Sequence, residues 1–106
     1  MAFKNTQRTG QVRNVIFQEG KEWFGAALEF NIVETGDSPQ EVFLLLDNAI
    51  KGYVESANKN KLSISVLNQE VNPEYESLWT AGAEGKTKGK RQIYSVSSQS
   101  LAALAA

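Results

Sequence analysis

Two hydrophobic periods divide the chain. Up to Thr35 the apolar residues fall in short runs of about two-residue period, the signature of strands; from Ser38 they recur at about 3.6 residues, the signature of a helix. Val12, Val15, Ile16 and Phe17 are β-branched or aromatic and follow Gln11, and the run closes at Glu19-Gly20, which predicts a first strand and a turn. Beyond it Trp23, Gly25, Ala27 and Glu29 fall on one face and Phe24, Ala26, Leu28 and Phe30 on the other. This segment reads as the second strand of a hairpin. Asn31-Ile32-Val33-Glu34-Thr35, ending at Gly36-Asp37, completes a three-stranded meander.

The helical period opens on Ser38-Pro39-Gln40-Glu41. Ser38 can cap, Pro39 suits the first helical position, and Glu41 completes a capping box at the third. Val42, Leu45, Leu46, Ala49, Ile50, Tyr53 and Ala57 form the apolar stripe, with Gln40, Asp47, Lys51 and Glu55 away from it. Each fully buried side chain of that stripe contributes about 1.5–3 kcal/mol before ordering entropy is subtracted, so this helix anchors the core against the strands. It should end within Asn58-Lys59-Asn60-Lys61, with an Asn as left-handed cap.

Leu62-Ser63-Ile64-Ser65-Val66-Leu67 alternates and reads as a fourth strand with Leu62, Ile64 and Val66 inward. Asn72-Pro73 starts a short helix with Glu74 and Glu76 near its positive end and Tyr75, Leu78 and Trp79 on its apolar face. Gly82 and Gly85 should end it early. A flexible basic loop follows, then a last strand at Ile93–Val96. The predicted fold class is α+β: a β-β-β-α-β core, in which a three-stranded meander packs on one long amphipathic helix, followed by a short helix and a terminal strand. Residues 1–10 form a loose lead-in, 11–97 a single domain, and 98–106 a frayed tail, since Leu101–Ala106 is too short to hold a helix alone.

Composition narrows what such a domain can do. Hydrophobic residues make up 42% and charged residues 22% of 106, the usage of one ordinary globular domain. The chain contains neither cysteine nor histidine. Disulfides, thiol nucleophiles, Cys- or His-based metal sites and Ser-His-Asp catalysis are therefore excluded. Lys and Arg number 11 against 12 Asp and Glu, and the pI is near 5.4, so the long-range field does not favour nucleic acid. No apolar run is long enough to span a bilayer and the N-terminus lacks a signal peptide's apolar stretch. The expectation is a cytoplasmic protein without a membrane partner.

Four acids, Glu29, Glu34, Asp37 and Asp47, are the candidates for a two-metal nuclease site. The first strand, Val12-Arg13-Asn14-Val15-Ile16-Phe17, carries no acid. The four are read as surface and turn carboxylates, and no catalytic residue, metal ligand or cofactor site is predicted. Lys86, Lys88, Lys90 and Arg91 are the candidate phosphate contacts, with Arg13 adding charge. Gly85-Lys86-Thr87 is not a phosphate loop, because Thr80 stands where the motif needs glycine and the run follows a helix rather than a strand. Trp23, Phe24, Phe30, Tyr53 and Trp79 are read as core; an aromatic exposed on the second or third strand would instead mark an interface.

Read as one unit, Val12 to Ala57 resembles the HicB-like antitoxins. The resemblance lies in the aromatic-x-Ala-type strand at Trp23-Phe24-Gly25-Ala26, the element Gly36-Asp37-Ser38-Pro39-Gln40-Glu41, and the helix with Ala49-Ile50 and Tyr53. Its motif residues are Trp23, Gly36, Ser38 and Glu41. Two positions depart from the family pattern: Leu28-Glu29-Phe30 stands where a Pro-x-Leu is common, and Val42 follows Glu41 where Ala is usual. The resemblance implies a degraded ribonuclease H-like fold without nuclease activity that masks a small RNA-cleaving toxin by direct binding, as a homodimer. Residues 62–106 hold no paired helices for reading DNA, so operator binding is not expected. Leu104-Ala105-Ala106 resembles the degradation signals read by bacterial ATP-dependent proteases. The alternative is a stand-alone RNA-binding protein that uses the loop 86–91.

Overall fold

Gly20 takes φ 64°, a backbone conformation open to glycine at little cost, and so lets β1 (Gln11–Glu19) turn into β2 (Glu22–Ala27). In the computed structural model, which describes residues 5–6, 9–86, 89 and 91–105, the two strands pair antiparallel with Phe17 opposite Phe24, and their rings stack at 5.3 Å. β3 (Ile32–Gly36) pairs antiparallel with β2. After α1 (Pro39–Lys59), a 3₁₀ turn (Ile64–Leu67) and α2 (Pro73–Ala83), β4 (Gln92–Ser100) pairs antiparallel with β1 and runs into α3 (Leu101–Ala105). The sheet order is β3-β2-β1-β4. The α+β architecture of meander, long helix, short helix and terminal strand is as expected from the sequence.

Helices occupy both sides of the sheet. α1 lies over β2 and β3, and α2 lies over β1 and β4. The two-residue period of β1 sorts its side chains between them. Val12 packs with Ala27 against Leu46, Ile50, Val54 and Ala57 of α1, whereas Val15 and Phe17 pack with Ala26 against Leu78 of α2. Each helix thus covers half of one face, on opposite halves. Two glycines make the close approach of the helices possible. A Cβ on Gly25 would stand 2.6 Å from Val42 Cγ1, and one on Gly82 would stand 2.6 Å from Val96 Cγ1.

Several expectations are corrected. The second strand stops at Ala27, and a turn through Leu28–Asn31 carries Phe30 to the α1 side, where it stacks on Tyr53 at 4.8 Å rather than joining Phe24. Leu62–Leu67 is not a strand. Ser63 caps a 3₁₀ turn, Leu62 and Ile64 are exposed, Val66 is half-buried and Leu67 is the residue that enters the core. On α1, Leu45 is exposed and Val54, outside the predicted stripe, is buried. The left-handed residue after α1 is Lys61, φ 52°, not an asparagine. Gly82 lies inside α2. The last strand reaches Ser100, and the tail is docked: Leu101 is buried and Leu104 packs against the α1-side core. The lead-in is tied at Asn5, fully buried, whose Nδ2 donates to the Leu67 carbonyl at 2.8 Å and whose Oδ1 accepts from the Gln11 N–H at 2.8 Å.

Candidate protein-interaction surface

The motif residues Gly36, Ser38 and Glu41 assemble around the start of α1 and do local work there. Ser38 Oγ accepts from the Glu41 N–H at 3.1 Å, and Glu41 Oε1 reaches back to accept from the Asp37 N–H at 2.9 Å. The reciprocal bonds satisfy donors that an isolated helix start would leave open. Any side chain on Gly36 would collide with the Glu41 carboxylate and crowd Val42. Trp23 is the cross-strand partner of Gly36 in the β2–β3 ladder. It lies half-buried and meets Tyr94 edge-on, with ring centroids 5.6 Å apart.

The described cations of the loop are paired. Lys86 Nζ stands 3.8 Å from Glu84 Oε1. Arg91 Nε meets Glu19 Oε1 at 3.3 Å, its other arm contacts Glu74, and its guanidinium lies over the Phe17 ring at 5.6 Å. Burial lowers the Arg91 pKa, but the hydrogen bonds and charges of Glu74 and Glu19 outweigh it and raise the value overall. Lys88 and Lys90 lie outside the described residues. Arg13 is likewise engaged. Its Nε and its backbone N–H both donate to the Glu29 carboxylate at 2.7 Å, Nη1 reaches Glu76 Oε1 at 3.3 Å, and the guanidinium lies 5.5 Å from the Trp79 ring centroid.

The acids do not converge. Glu29 is buried against Arg13, Asp47 pairs with Lys51 at 2.9 Å and accepts from Gln99 Nε2 at 3.2 Å, and Asp37 is exposed beside the helix cap. Among the described residues no group of three metal-ligating side chains forms. No helix among them is long and apolar enough to cross a membrane.

What stands out is apolar surface. Phe43 is 53% exposed, Leu44 61% and Leu45 41%, three consecutive positions on the first two turns of α1. The helix is held by Val42, Leu46, Ile50, Val54 and Ala57, so a residue one or two steps from Val42 is turned by about 100–200° from that seam. Phe43 leans toward the groove over Ile16 and Ser97, and Leu44 points outward. The signal was present in the sequence. Phe43-Leu44-Leu45-Leu46 is a run of four large apolar residues, and four consecutive helical positions sweep about 300°, so one stripe cannot bury them all. Tyr94, 56% exposed on β4, adds an aromatic against Trp23.

Asp37 and Glu41 are exposed at the same end of α1, and Glu34 lies half-buried on the adjoining β3. The apolar run is therefore bordered by acids. Comparison with protein-family models, with curated proteins and with solved structures finds no match, so the use of this surface is read from its own residues.

Proposed function

We propose that this chain is a non-enzymatic protein-binding domain of the HicB-like antitoxin kind, which masks a small RNA-cleaving toxin by covering it. The observation that carries the reading is the exposed run Phe43-Leu44-Leu45 on a helix otherwise held tightly to its sheet. Three consecutive exposed apolar residues are a cost in solubility that a binding function explains.

The mechanism is steric. A cap at Ser38 and the close seat at Gly25 hold α1 in place before any partner arrives, so little ordering entropy opposes docking. Burying the three side chains removes apolar area from water at about 25 cal/mol per Å². The acidic border at Glu34, Asp37 and Glu41 suits a basic partner, and a protein that binds RNA is basic for electrostatic reasons. The absence of histidine and cysteine and the separation of the carboxylates support a role without catalysis. RNA binding through the loop lacks comparable support, since Arg91 and Lys86 already face carboxylates.

The test is binding to, and growth rescue from, any small basic protein encoded by a gene adjacent to that of this chain. The wild type is expected to co-purify with it and relieve its toxicity, and Leu44→Glu to bind it at least ~10-fold more weakly with unchanged circular dichroism, because losing one well-packed apolar contact is worth about 1.5–3 kcal/mol. Absence of binding, or equal binding by Leu44→Glu, overturns the proposal.

A further inference from the structure

We infer that the groove between α1 and β4 takes the side chain of a lysine from the partner: the ammonium sits at Asn14 Oδ1 beside the Asp47 carboxylate, and the aliphatic stem lies along Ile16 and Phe43. The inference deepens the reading above and rests on it only for the partner being a basic protein.

A row of polar contacts leads into this groove. Lys51 Nζ pairs with Asp47 Oδ2 at 2.9 Å, Gln99 Nε2 donates to Asp47 Oδ1 at 3.2 Å, and Asn14 Nδ2 donates to Gln99 Oε1 at 3.0 Å. The carboxylate fixes the direction of every link. It can only accept, so Gln99 turns its amide nitrogen to Asp47 and its carbonyl to Asn14, and Asn14 in turn presents its own nitrogen. The atom left at the end of the row is therefore an acceptor, Asn14 Oδ1.

That acceptor is buried, and no described residue donates to it. Asn14 as a whole is 7% exposed. A buried carbonyl without a donor destabilises a fold, and an aliphatic residue on β1 would avoid the cost. The position marks a place for a donor from outside the chain.

The groove selects which donor. Asn14 and Ile16 of β1 form its floor, Phe43 and Asp47 of α1 one wall, and Ser97 and Gln99 of β4 the other. Its interior accommodates one water-sized group. An ammonium is that compact, whereas a guanidinium spreads its donors over a planar fork. Asp47 accepts from Lys51 and Gln99, and a carboxylate offers about four acceptor positions, so it can take a further N–H and balance the incoming charge. Ile16 is buried and Phe43 exposed, so an aliphatic stem meets apolar surface on its way in. Lysine joins a compact cation to such a stem. The acids Glu34, Asp37 and Glu41 toward the start of α1 favour the same sign of partner.

The test is an NMR titration of the isotope-labelled full chain with Nα-acetyl-lysine methylamide, set against its norleucine and arginine analogues. The lysine compound is expected to shift the side-chain amide signals of Asn14 and Gln99 saturably. Norleucine should not shift them, and arginine should bind at least ~10-fold more weakly. Asn14→Leu should abolish the binding and leave the thermal midpoint no lower, because it removes an unpaired buried acceptor. If Asn14→Leu misfolds, Asp47→Asn replaces it, expected to weaken lysine binding at least ~10-fold by removing the charge and keeping the shape. The absence of a saturable shift overturns the inference, as does an equal shift by norleucine or undiminished binding by these variants. Co-purification of a basic partner that Leu44→Glu weakens and Asn14→Leu does not overturns the lysine anchor alone; lysine binding without any such partner supports the anchor and counts against the antitoxin reading.

Discussion

Single residues in this chain act through their surroundings, and two glycines make the point. Gly25 faces Val42 Cγ1 and Leu46 Cδ2, which a Cβ would meet at 2.6 and 3.2 Å, whereas nothing lies within 4 Å of a Cβ at Gly52. Gly25→Ala is expected to destabilise by about 1–3 kcal/mol through overpacking. Gly52→Ala, on the exposed side of α1, is expected to stabilise by about 1 kcal/mol through helix propensity. Urea denaturation of the two variants checks both signs. Arg13 shows the same dependence for charge. Burial alone lowers its pKa, but the hydrogen bonds and charges of Glu29 and Glu76 outweigh that effect and raise it above the ordinary arginine value. A raised folded-state pKa stabilises fully below the unfolded value and is lost only as pH climbs past it, so the guanidinium's contribution is constant through neutral pH. Sequence reading placed Arg13 among candidate RNA contacts because a charge is visible in a sequence and its partner, 16 positions away at Glu29, is not.

At the level of elements, local signals were legible where one segment's own chemistry decides its shape. The hairpin at Glu19-Gly20 and the cap at Ser38-Pro39-Gln40-Glu41 formed where the residues indicate. Leu62–Leu67 and the tail were misread for a common reason. Alternation at Leu62, Ile64 and Val66 shows a strand-like period, but Leu67 is the one that finds the core, leaving Leu62 43% and Ile64 38% exposed. Pairing with β1 falls instead to β4, a choice made across the whole chain. The tail is short by its own propensity, yet Leu101 is fully buried with Val12, Ile50 and Leu67. Leu101→Ala is expected to cost about 2–5 kcal/mol, as core truncations do. A thermal melt reads this directly, since truncating a frayed residue would leave the midpoint unmoved.

For the whole molecule, α1 and β4 are joined across one face of the sheet, where Phe43 and Ser97 line one groove and Gln99 Nε2 donates to Asp47 Oδ1 at 3.2 Å. α1 lies over β2 and β3, and the free edge of β4 is on the other side of β1. Residues that share a partner or a groove couple, and their substitutions are not additive. Asp47→Ala and Gln99→Ala are therefore expected to cost less together than the sum of their separate effects, as urea denaturation of the single and double variants reads.

By itself the sequence determined the three-stranded meander, the capped helix, the second helix at Asn72-Pro73 and the exclusion of cysteine and histidine chemistry. These follow from period, capping and composition, which are properties of neighbours in the chain. Only the tertiary structure decided that the helices take opposite faces, that β4 closes on β1, that Arg13 and Arg91 are held by carboxylates, and that Phe43, Leu44 and Leu45 are left outside. Those outcomes depend on which distant residue arrives at a given place. A local pattern records a side chain's tendency to be buried or paired, and only the packed chain supplies the surface or charge that meets it.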